Sequence, residues 1–101
     1  MDNYFIYIIT NVSKTVLYIG VTNDIERRLN EHFENRGKAK TFAGRYHCYN
    51  LLYYEAYHSI LDAIAREKEL KKWSRKKKNE LINTTNPKWR ILNRSVWSDL
   101  R

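Results

Sequence analysis

The sequence is poor in the residues on which several familiar kinds of functional site depend. Its 101 residues include one cysteine, Cys48, so no internal disulfide can form, which fits a reducing compartment. The three glycines form no P-loop, no dinucleotide-binding pattern and no Gly-x-Ser-x-Gly elbow. The three histidines and Cys48 lack the paired spacing of zinc ligands. These observations argue against a disulfide scaffold, a nucleotide-binding loop, a serine hydrolase elbow and a zinc site.

Long apolar runs are missing as well. No stretch approaches the ~18 residues that a membrane-spanning helix needs, and no basic, apolar leader surrounds Asp2 and Asn3. We therefore expect a cytoplasmic protein without a membrane segment. Hydrophobic residues make up 43% of the chain, which is enough for a folded core, and the length predicts a single domain over residues 1–101.

Acidic residues are scarce relative to basic ones. The chain has 11 Asp and Glu against 19 Lys and Arg, which gives a net charge of +8 and a pI of about 9.7. A dense basic cluster can be a nucleic-acid footprint, an anionic-membrane patch or a solvated helix face, and we favour the first. The residues predicted to contact DNA are Lys71, Lys72, Arg75, Lys76, Lys77 and Lys78.

Three segments are predicted as strands. Residues 4–10 are rich in aromatic and β-branched side chains, and residues 15–19 form a second strand that ends at Gly20, so the two make a hairpin. Residues 48–57 are apolar on both faces, which favours the central strand of a small sheet. Cys48 is interpreted as a small, half-buried residue of this strand and not as a nucleophile.

The first predicted helix begins near Asn23, a good N-cap with Glu26 three residues on, and it stops within residues 35–37. Arg28 and His32 are four residues apart and share one face of this helix. The apolar face beside them is made of Ile25, Leu29 and Phe33.

Residues 36–47 have no clear period and are predicted to form a mobile loop. A further helix is expected after Ser59, to break near Ser74 and to be followed by another helix over residues 75–82. The tail from Trp89 onward is expected to pack on the domain. The inward stripe of the helix after Ser59 consists of Ile60, Ala63, Ile64, Glu67, Leu70 and Trp73.

Glu67 is the strongest candidate for a metal-binding acid. Hydrolysis of a phosphodiester requires a deprotonated water, neutralised phosphate charge and a stabilised leaving oxygen, which a divalent cation supplies with few protein ligands. A carboxylate on an inward stripe should be paired, hydrogen-bonded or metal-bound, because burying it alone is costly. The alternative is a helix-boundary Glu67 that pairs with Lys71 four residues on.

Arg28 is the candidate for steadying a phosphate, because its guanidinium is a planar fork of donors that stays charged. The alternative is a solvated arginine that pairs with Asp24 or Glu31. His32 is a candidate for hydrogen-bonding a phosphate or passing a proton. Its alternative role is that of a helix-end histidine favoured by the helix dipole.

Tyr7 and Tyr18 carry little signal as single residues. A tyrosine with its ordinary pKa of ~10 is a poor base at neutral pH unless a nearby cation shifts it, and both are equally well core or edge residues. Their context is more informative, because Phe5-Ile6-Tyr7 and Tyr18-Ile19-Gly20 precede the helix that carries Arg28. This arrangement resembles the GIY-YIG endonuclease domain, with Phe5 in place of the family's first glycine.

The resemblance extends over residues 4–93. Residues 20–29 are similar to the family's strand-to-helix passage, and residues 65–73 are similar to its later helix, with Glu67 at the metal ligand. More narrowly, the chain resembles small stand-alone members related to the nuclease domain of the bacterial excision-repair excinuclease ABC. Their Asn-Pro-x-Trp stretch is matched by residues 86–89, and either Asn86 or Asn93 is the counterpart of the late asparagine of larger members.

The resemblance implies an α+β fold with a small three-stranded antiparallel sheet flanked by helices. It implies structure-directed hydrolysis of DNA phosphodiesters with one Mg²⁺ or Mn²⁺, in repair or recombination, with DNA and a repair or recombination protein as partners. Glu67 would hold the metal and Arg28 the phosphate. Tyr7 or Tyr18, supported by His32, would orient or deprotonate water. The alternatives are a non-catalytic or weakly active DNA-binding module and a protein-interaction domain on the same scaffold.

Overall fold

The computed structural model describes residues 3–99 of the chain. Its three strands are β1 (Tyr4–Thr10), β2 (Leu17–Thr22) and β3 (Asn50–Tyr57). Its helices are α1 (Ile25–Glu34), α2 (Phe42–Arg45), α3 (Ile60–Lys71), α4 (Arg75–Thr85) and α5 (Asn93–Asp99). The predicted α+β architecture is therefore confirmed. Within the same residues, no helix is both long and apolar enough to cross a membrane.

The sheet is antiparallel throughout, with β1 between β2 and β3. The prediction that the third strand is central is wrong, because β3 lies at an edge. Its apolar character has another cause: Leu51, Leu52 and Tyr53 are buried because helices and the tail cover both faces of β3. A pattern that is apolar on both faces reports burial on both faces and does not report position in the sheet.

Helices cover both faces of β1, which positions its side chains alternately in two cores. Phe5, Tyr7 and Ile9 pack with residues of α1, α2 and α5 on one face. Ile6 and Ile8 pack with residues of α3 and α4 on the other face. The site described below lies on the first face, since Tyr7 points towards α1.

Several predicted boundaries differ from the observed ones. β2 does not stop at Gly20 but continues through it to Thr22, so this glycine is paired within the sheet. β3 begins at Asn50, and Cys48 lies ahead of it, fully buried and not half-buried as predicted. Burial raises the pKa of the Cys48 thiol to about 11, which supports its interpretation as an inert residue.

The helix boundaries also required correction. The N-cap of α1 is Asp24, whose side chain accepts a hydrogen bond from the Arg27 amide, and it is not Asn23. Phe33 is exposed, and His32 takes the inward position that was predicted for Phe33. The segment 36–47 is not simply a loop, because it contains α2.

The helices that follow β3 agree better with the sequence. Ser59 caps α3 by accepting a hydrogen bond from the Asp62 amide, and Ser74 caps α4, as the predicted break requires. α4 runs to Thr85, three residues beyond its predicted end, before Asn86 terminates it. α3 packs against β1 and β2, which brings Glu67 to the sheet.

Candidate active site

Tyr7 is the centre of the candidate site, and the β hairpin explains how its ring is accommodated. Tyr7 pairs with Gly20 across β1 and β2, and its ring lies directly over that glycine. A Cβ atom at position 20 would come within 2.3 Å of the Tyr7 hydroxyl and 2.4 Å of its Cζ, which is far inside van der Waals contact. The glycine of the Tyr-Ile-Gly motif therefore makes room for the phenol of the first motif.

Two side chains of α1 converge on the Tyr7 hydroxyl. His32 Nε2 lies 2.8 Å from the Tyr7 Oη, and the Arg28 Nε donates to the same oxygen over 3.3 Å. Because the arginine must donate, the Tyr7 hydroxyl is free to donate its own proton to a neutral His32. Arg28 and His32 reach one atom because they stand one helical turn apart, as their four-residue spacing predicts.

The protonation states follow from burial. Burial raises the pKa of Tyr7 to about 12, although the hydrogen bond and charge of Arg28 oppose the increase. Burial, with a further contribution from the Arg28 charge, lowers the pKa of His32 to about 4. At neutral pH the pair therefore consists of a protonated phenol and an uncharged imidazole.

The cluster has a buried layer and an outer layer. Tyr7 and His32 are only 1% and 5% exposed, whereas Tyr18 is half-buried and the Arg28 side chain is 34% exposed. The Tyr18 ring lies 6.4 Å from the Tyr7 ring and 5.5 Å from the His32 ring. Arg28 also donates through Nη1 to Glu31 over 3.0 Å. Tyr18 and Arg28 are thus the members of the cluster that a ligand can reach.

Glu67 combines the two roles that the sequence left open. Its side chain is only 16% exposed, as expected for the inward stripe, and it also pairs with Lys71 over 3.5 Å. Its negative charge contributes to the raised pKa of Tyr7, as the smallest of the influences on that phenol. The carboxylate therefore lies within electrostatic range of the cluster.

A single carboxylate is a donor set that suits one hard cation and few other metals. Among residues 3–99 no group of three or more His, Cys, Asp or Glu side chains is placed to hold a metal ion. Mg²⁺ and similar ions are often bound by one or two carboxylates, with phosphate and water completing the coordination. Glu67, little exposed and within electrostatic range of Tyr7, fits a cation that is shared with a phosphate.

The predicted DNA-binding residues lie at the end of α3 and in the first turns of α4, and half of them have partners within the protein. Arg75 donates to the backbone carbonyls of Lys14 and Thr15, over 3.2 Å and 2.8 Å. The Lys77 ammonium lies 4.1 Å above the Trp73 ring, and Lys71 is the partner of Glu67. The remaining three residues are Lys72 and Lys76, which are exposed, and Lys78, which is half-buried.

The two late asparagines both bind the backbone along β3. Asn86 is buried and donates to the carbonyls of Leu52 and Arg90 over 3.0 Å and 2.9 Å. Asn93 accepts from the Leu51 amide over 2.8 Å and donates to a neighbouring carbonyl. These contacts hold the tail against the free edge of β3, and they connect neither amide to Tyr7.

A polar network beside Glu67 was missed at the sequence level. Glu55 of β3 accepts hydrogen bonds from Tyr53 and Tyr57 and is bound by Arg66, the neighbour of Glu67 on α3. Burial raises the pKa of Glu55, but these hydrogen bonds outweigh it and hold the pKa below its usual value. The available signal was an isolated acid within an otherwise apolar strand.

The fold and the cluster together define a small α+β domain of the GIY-YIG type. The chain belongs to this family, because the family model described as the GIY-YIG catalytic domain matches residues 3–83. Nuclease chemistry is what this domain family is known for.

Individual relatives place the chain among small members of the family. It is 35% identical over 82 residues to the UPF0213 proteins SA0446 and SAV0488 of Staphylococcus aureus (strains N315 and Mu50), covering 81% of this chain and 96% of theirs. The solution structure of the UPF0213 protein BH0048 from Bacillus halodurans superposes with a TM-score of 0.54 at 30% identity. That match covers 86% of this chain and 89% of the other.

Proposed function

We propose that this protein is a divalent-metal-dependent endonuclease that hydrolyses DNA phosphodiester bonds. The observation that carries the proposal is the convergence of Arg28 and His32 on one tyrosine hydroxyl, beside Tyr18 and within range of the Glu67 charge. Membership of the GIY-YIG domain family supports nuclease chemistry. Structure-directed cutting in repair or recombination, with a protein of those processes as partner, is the setting we propose.

We assign different tasks to the two tyrosines because their exposure differs. Tyr18 is half-buried, and we place its phenol against the attacking water. Tyr7 is almost fully buried, so its task is to hold Arg28 and to give its proton to His32 when it receives one. The neutral state of His32 at physiological pH suits this proton-accepting role.

Arg28 is assigned to the phosphate. Burial alone would lower its pKa, but hydrogen bonds with Tyr7 and Glu31 raise it, so the guanidinium stays charged. Its Nε and Nη1 groups are held by those two residues, which fixes the plane of the guanidinium. The Nη2 group is the donor that we assign to the phosphate oxygen, where developing charge needs stabilisation.

Glu67 is assigned to the metal, Mg²⁺ or Mn²⁺. When bound, such an ion promotes formation of hydroxide and neutralises the leaving oxygen. Lys71 must then give up its ion pair with Glu67, which is a small cost because an exposed pair contributes little. The basic residues of α3 and α4 supply contacts to the DNA backbone.

The test is cleavage of a panel of branched, flapped, nicked and linear DNAs with Mg²⁺ or Mn²⁺. Glu67→Gln and Arg28→Ala should each reduce cleavage by about 10²–10³-fold or more, because each removes stabilisation specific to the transition state. Arg27→Ala is the matched control for Arg28, since its neighbouring side chain is 57% exposed. Glu80→Gln, on the exposed side of α4, is the control for Glu67.

Far-UV circular dichroism and DNA binding in EDTA must be retained by all four variants. Wild-type cleavage rates in either site variant would remove the assigned role. Binding of the panel without cleavage in any metal would favour the alternative, a non-catalytic DNA-binding module on the same scaffold.

A further inference from the structure

The candidate site leaves unused a row of aromatic side chains that begins at Tyr18. Phe42, the first residue of α2, stacks on Tyr18 with ring centroids 6.3 Å apart and planes 24° from parallel. Tyr46 continues the row, 4.8 Å from Phe42. Phe42 and Tyr46 are 49% and 42% exposed, so both rings are open to solvent next to the one catalytic candidate phenol that a ligand can reach.

The backbone beneath these rings is held firmly. Thr41 caps α2 by accepting from the Gly44 amide over 3.0 Å, and the Cys48 amide donates to the carbonyl of the buried Ala43 over 2.8 Å. Gly44 is packed so closely that a Cβ atom there would lie 2.4 Å from the Lys38 carbonyl oxygen. The short helix therefore presents Phe42 on a well-anchored support.

The segment that carries the row has only positive charge. Residues 35–49 contain four basic residues and no Asp or Glu. Next to Tyr46 lies an open cavity of about 480 Å³, which Arg36, His47 and Tyr49 help to line. Arg36 is itself placed 3.8 Å above the Phe33 ring. Aromatic faces between cations are the combination with which proteins bind unpaired nucleotides, since rings take the base and cations take the backbone.

We infer that Phe42 and Tyr46 form a stacking subsite for an unpaired nucleobase adjoining the phosphodiester that the candidate site attacks. The inference rests on the proposed function and adds the substrate class: DNA in which bases next to the cut are unpaired. A base within a duplex is stacked on both faces and cannot offer one to a ring at the protein surface. The subsite therefore selects flaps, branch points, bulges or single strands over continuous duplex.

The experiment is a thermodynamic cycle measured in EDTA, so that binding is read without cleavage. A fluorescent oligothymidine of twelve nucleotides is compared with an abasic oligonucleotide of equal length and charge. Wild-type protein should prefer the oligothymidine by roughly 5- to 150-fold, the range expected for stacking of one base. The double variant F42A/Y46A should lose that preference and keep its affinity for the abasic chain.

Two further variants control for packing. F42L/Y46L keeps apolar groups against Tyr18 without an aromatic face and should lose the preference as well, whereas F42W should keep it. Leu61→Ala removes a side chain that is 74% exposed at the start of α3 and should change neither affinity.

The inference is overturned if wild-type protein does not prefer the oligothymidine, or if F42L/Y46L retains the preference. It is also overturned if F42A/Y46A weakens binding of both oligonucleotides equally. These outcomes are independent of the nuclease test. Failure of Glu67→Gln to impair cleavage removes the catalytic proposal without touching this cycle, and loss of the preference removes the subsite without touching Glu67.

Discussion

Gly20 is the residue whose side chain, or lack of one, sets the position of Tyr7. Replacing glycine by alanine in an extended strand ordinarily stabilises a protein by about 0.4–1 kcal/mol. Here we predict the opposite sign, because the new methyl group would meet the Tyr7 phenol at 2.3 Å. Gly20→Ala should lower the free energy of unfolding by about 1–3 kcal/mol, measured by urea titration, and should reduce cleavage at least tenfold.

A double-mutant cycle with Tyr7→Phe checks the cause. The phenylalanine lacks the hydroxyl that the methyl group would approach most closely, so Gly20→Ala should cost less stability in that background. Equal costs in both backgrounds would show that the clash with the Tyr7 hydroxyl is not the source of the effect.

His32 links the same cluster to pH. Its pKa is about 4 in the folded protein and 6.5 in a model peptide, so the unfolded chain binds more protons between these values. The stability contributed by the neutral imidazole is thus present above pH 6.5 and is lost as the pH falls towards 4. We predict a decrease in unfolding free energy on the order of 2 kcal/mol over this interval that His32→Gln lacks.

The measurement is urea unfolding at several pH values, with the difference between wild type and His32→Gln taken at each. Gln keeps an oxygen that accepts from the Tyr7 hydroxyl but does not titrate in this range. His58→Gln, at an exposed position, controls for the substitution itself. A constant difference between wild type and His32→Gln from pH 4 to pH 7 would contradict the prediction.

At the scale of elements, the start of α4 is the part of the basic cluster with the most exposed charge. Replacing Lys76, Lys77 and Lys78 by Gln should flatten the dependence of DNA binding on salt, because each phosphate contact contributes ~0.9 to the slope on duplex DNA. We predict a slope reduced by roughly 2 to 3 when log Kd is plotted against log salt concentration.

The matched control removes an equal charge from the tail. Lys88, Arg90 and Arg94 are exposed and are replaced together by Gln. If both triple variants change the slope equally, the effect is one of net charge, and the first turns of α4 are a solvated helix face. An unchanged slope in the α4 variant leads to the same conclusion.

Some elements could be predicted from sequence because their signals are local. β1 has the predicted bounds, and Ser59 and Ser74 cap α3 and α4 as expected, since caps and aromatic or β-branched runs act within a few residues. The N-cap of α1 was misplaced by one residue because Asn23 and Asp24 are both good caps, and the choice between them depends on contacts elsewhere. α2 was missed because four residues are too few to show a helical period.

Features that depend on distant contacts could not be predicted in this way. The edge position of β3 is set by strand pairing, which its own pattern does not encode. His32 and Phe33 are adjacent in sequence, and the inward position of His32 is tied to its bond with Tyr7. The spacing of Arg28 and His32 did predict a shared face, whereas the stacking of Phe42 on Tyr18 required the path of the whole segment between α1 and β3.

At the scale of the whole molecule, the segment after α4 closes the sheet. β3 is an edge strand, and exposed strand edges are prone to pairing with other chains. Three groups of this segment occupy that edge: the Asn86 amide binds the Leu52 carbonyl, the Asn93 carbonyl binds the Leu51 amide, and the Leu92 amide binds the Leu51 carbonyl. The site on the opposite part of the sheet therefore depends on this tail only through the stability of the fold.

This separation leads to a prediction for Asn86. Asn86→Ala leaves the Leu52 carbonyl without its side-chain donor and removes the bonds to Arg90, so the free energy of unfolding should fall by about 1–3 kcal/mol in urea titrations. Asn30→Ala, at an exposed position of α1, should not lower it. Below the unfolding transition, cleavage per folded molecule should equal that of wild type, because the amide binds backbone and not Tyr7 or Glu67. A variant that keeps its stability but loses cleavage would instead place Asn86 in the active site, as the late asparagine of larger family members suggested, and the division between a catalytic face and a closing tail would be wrong.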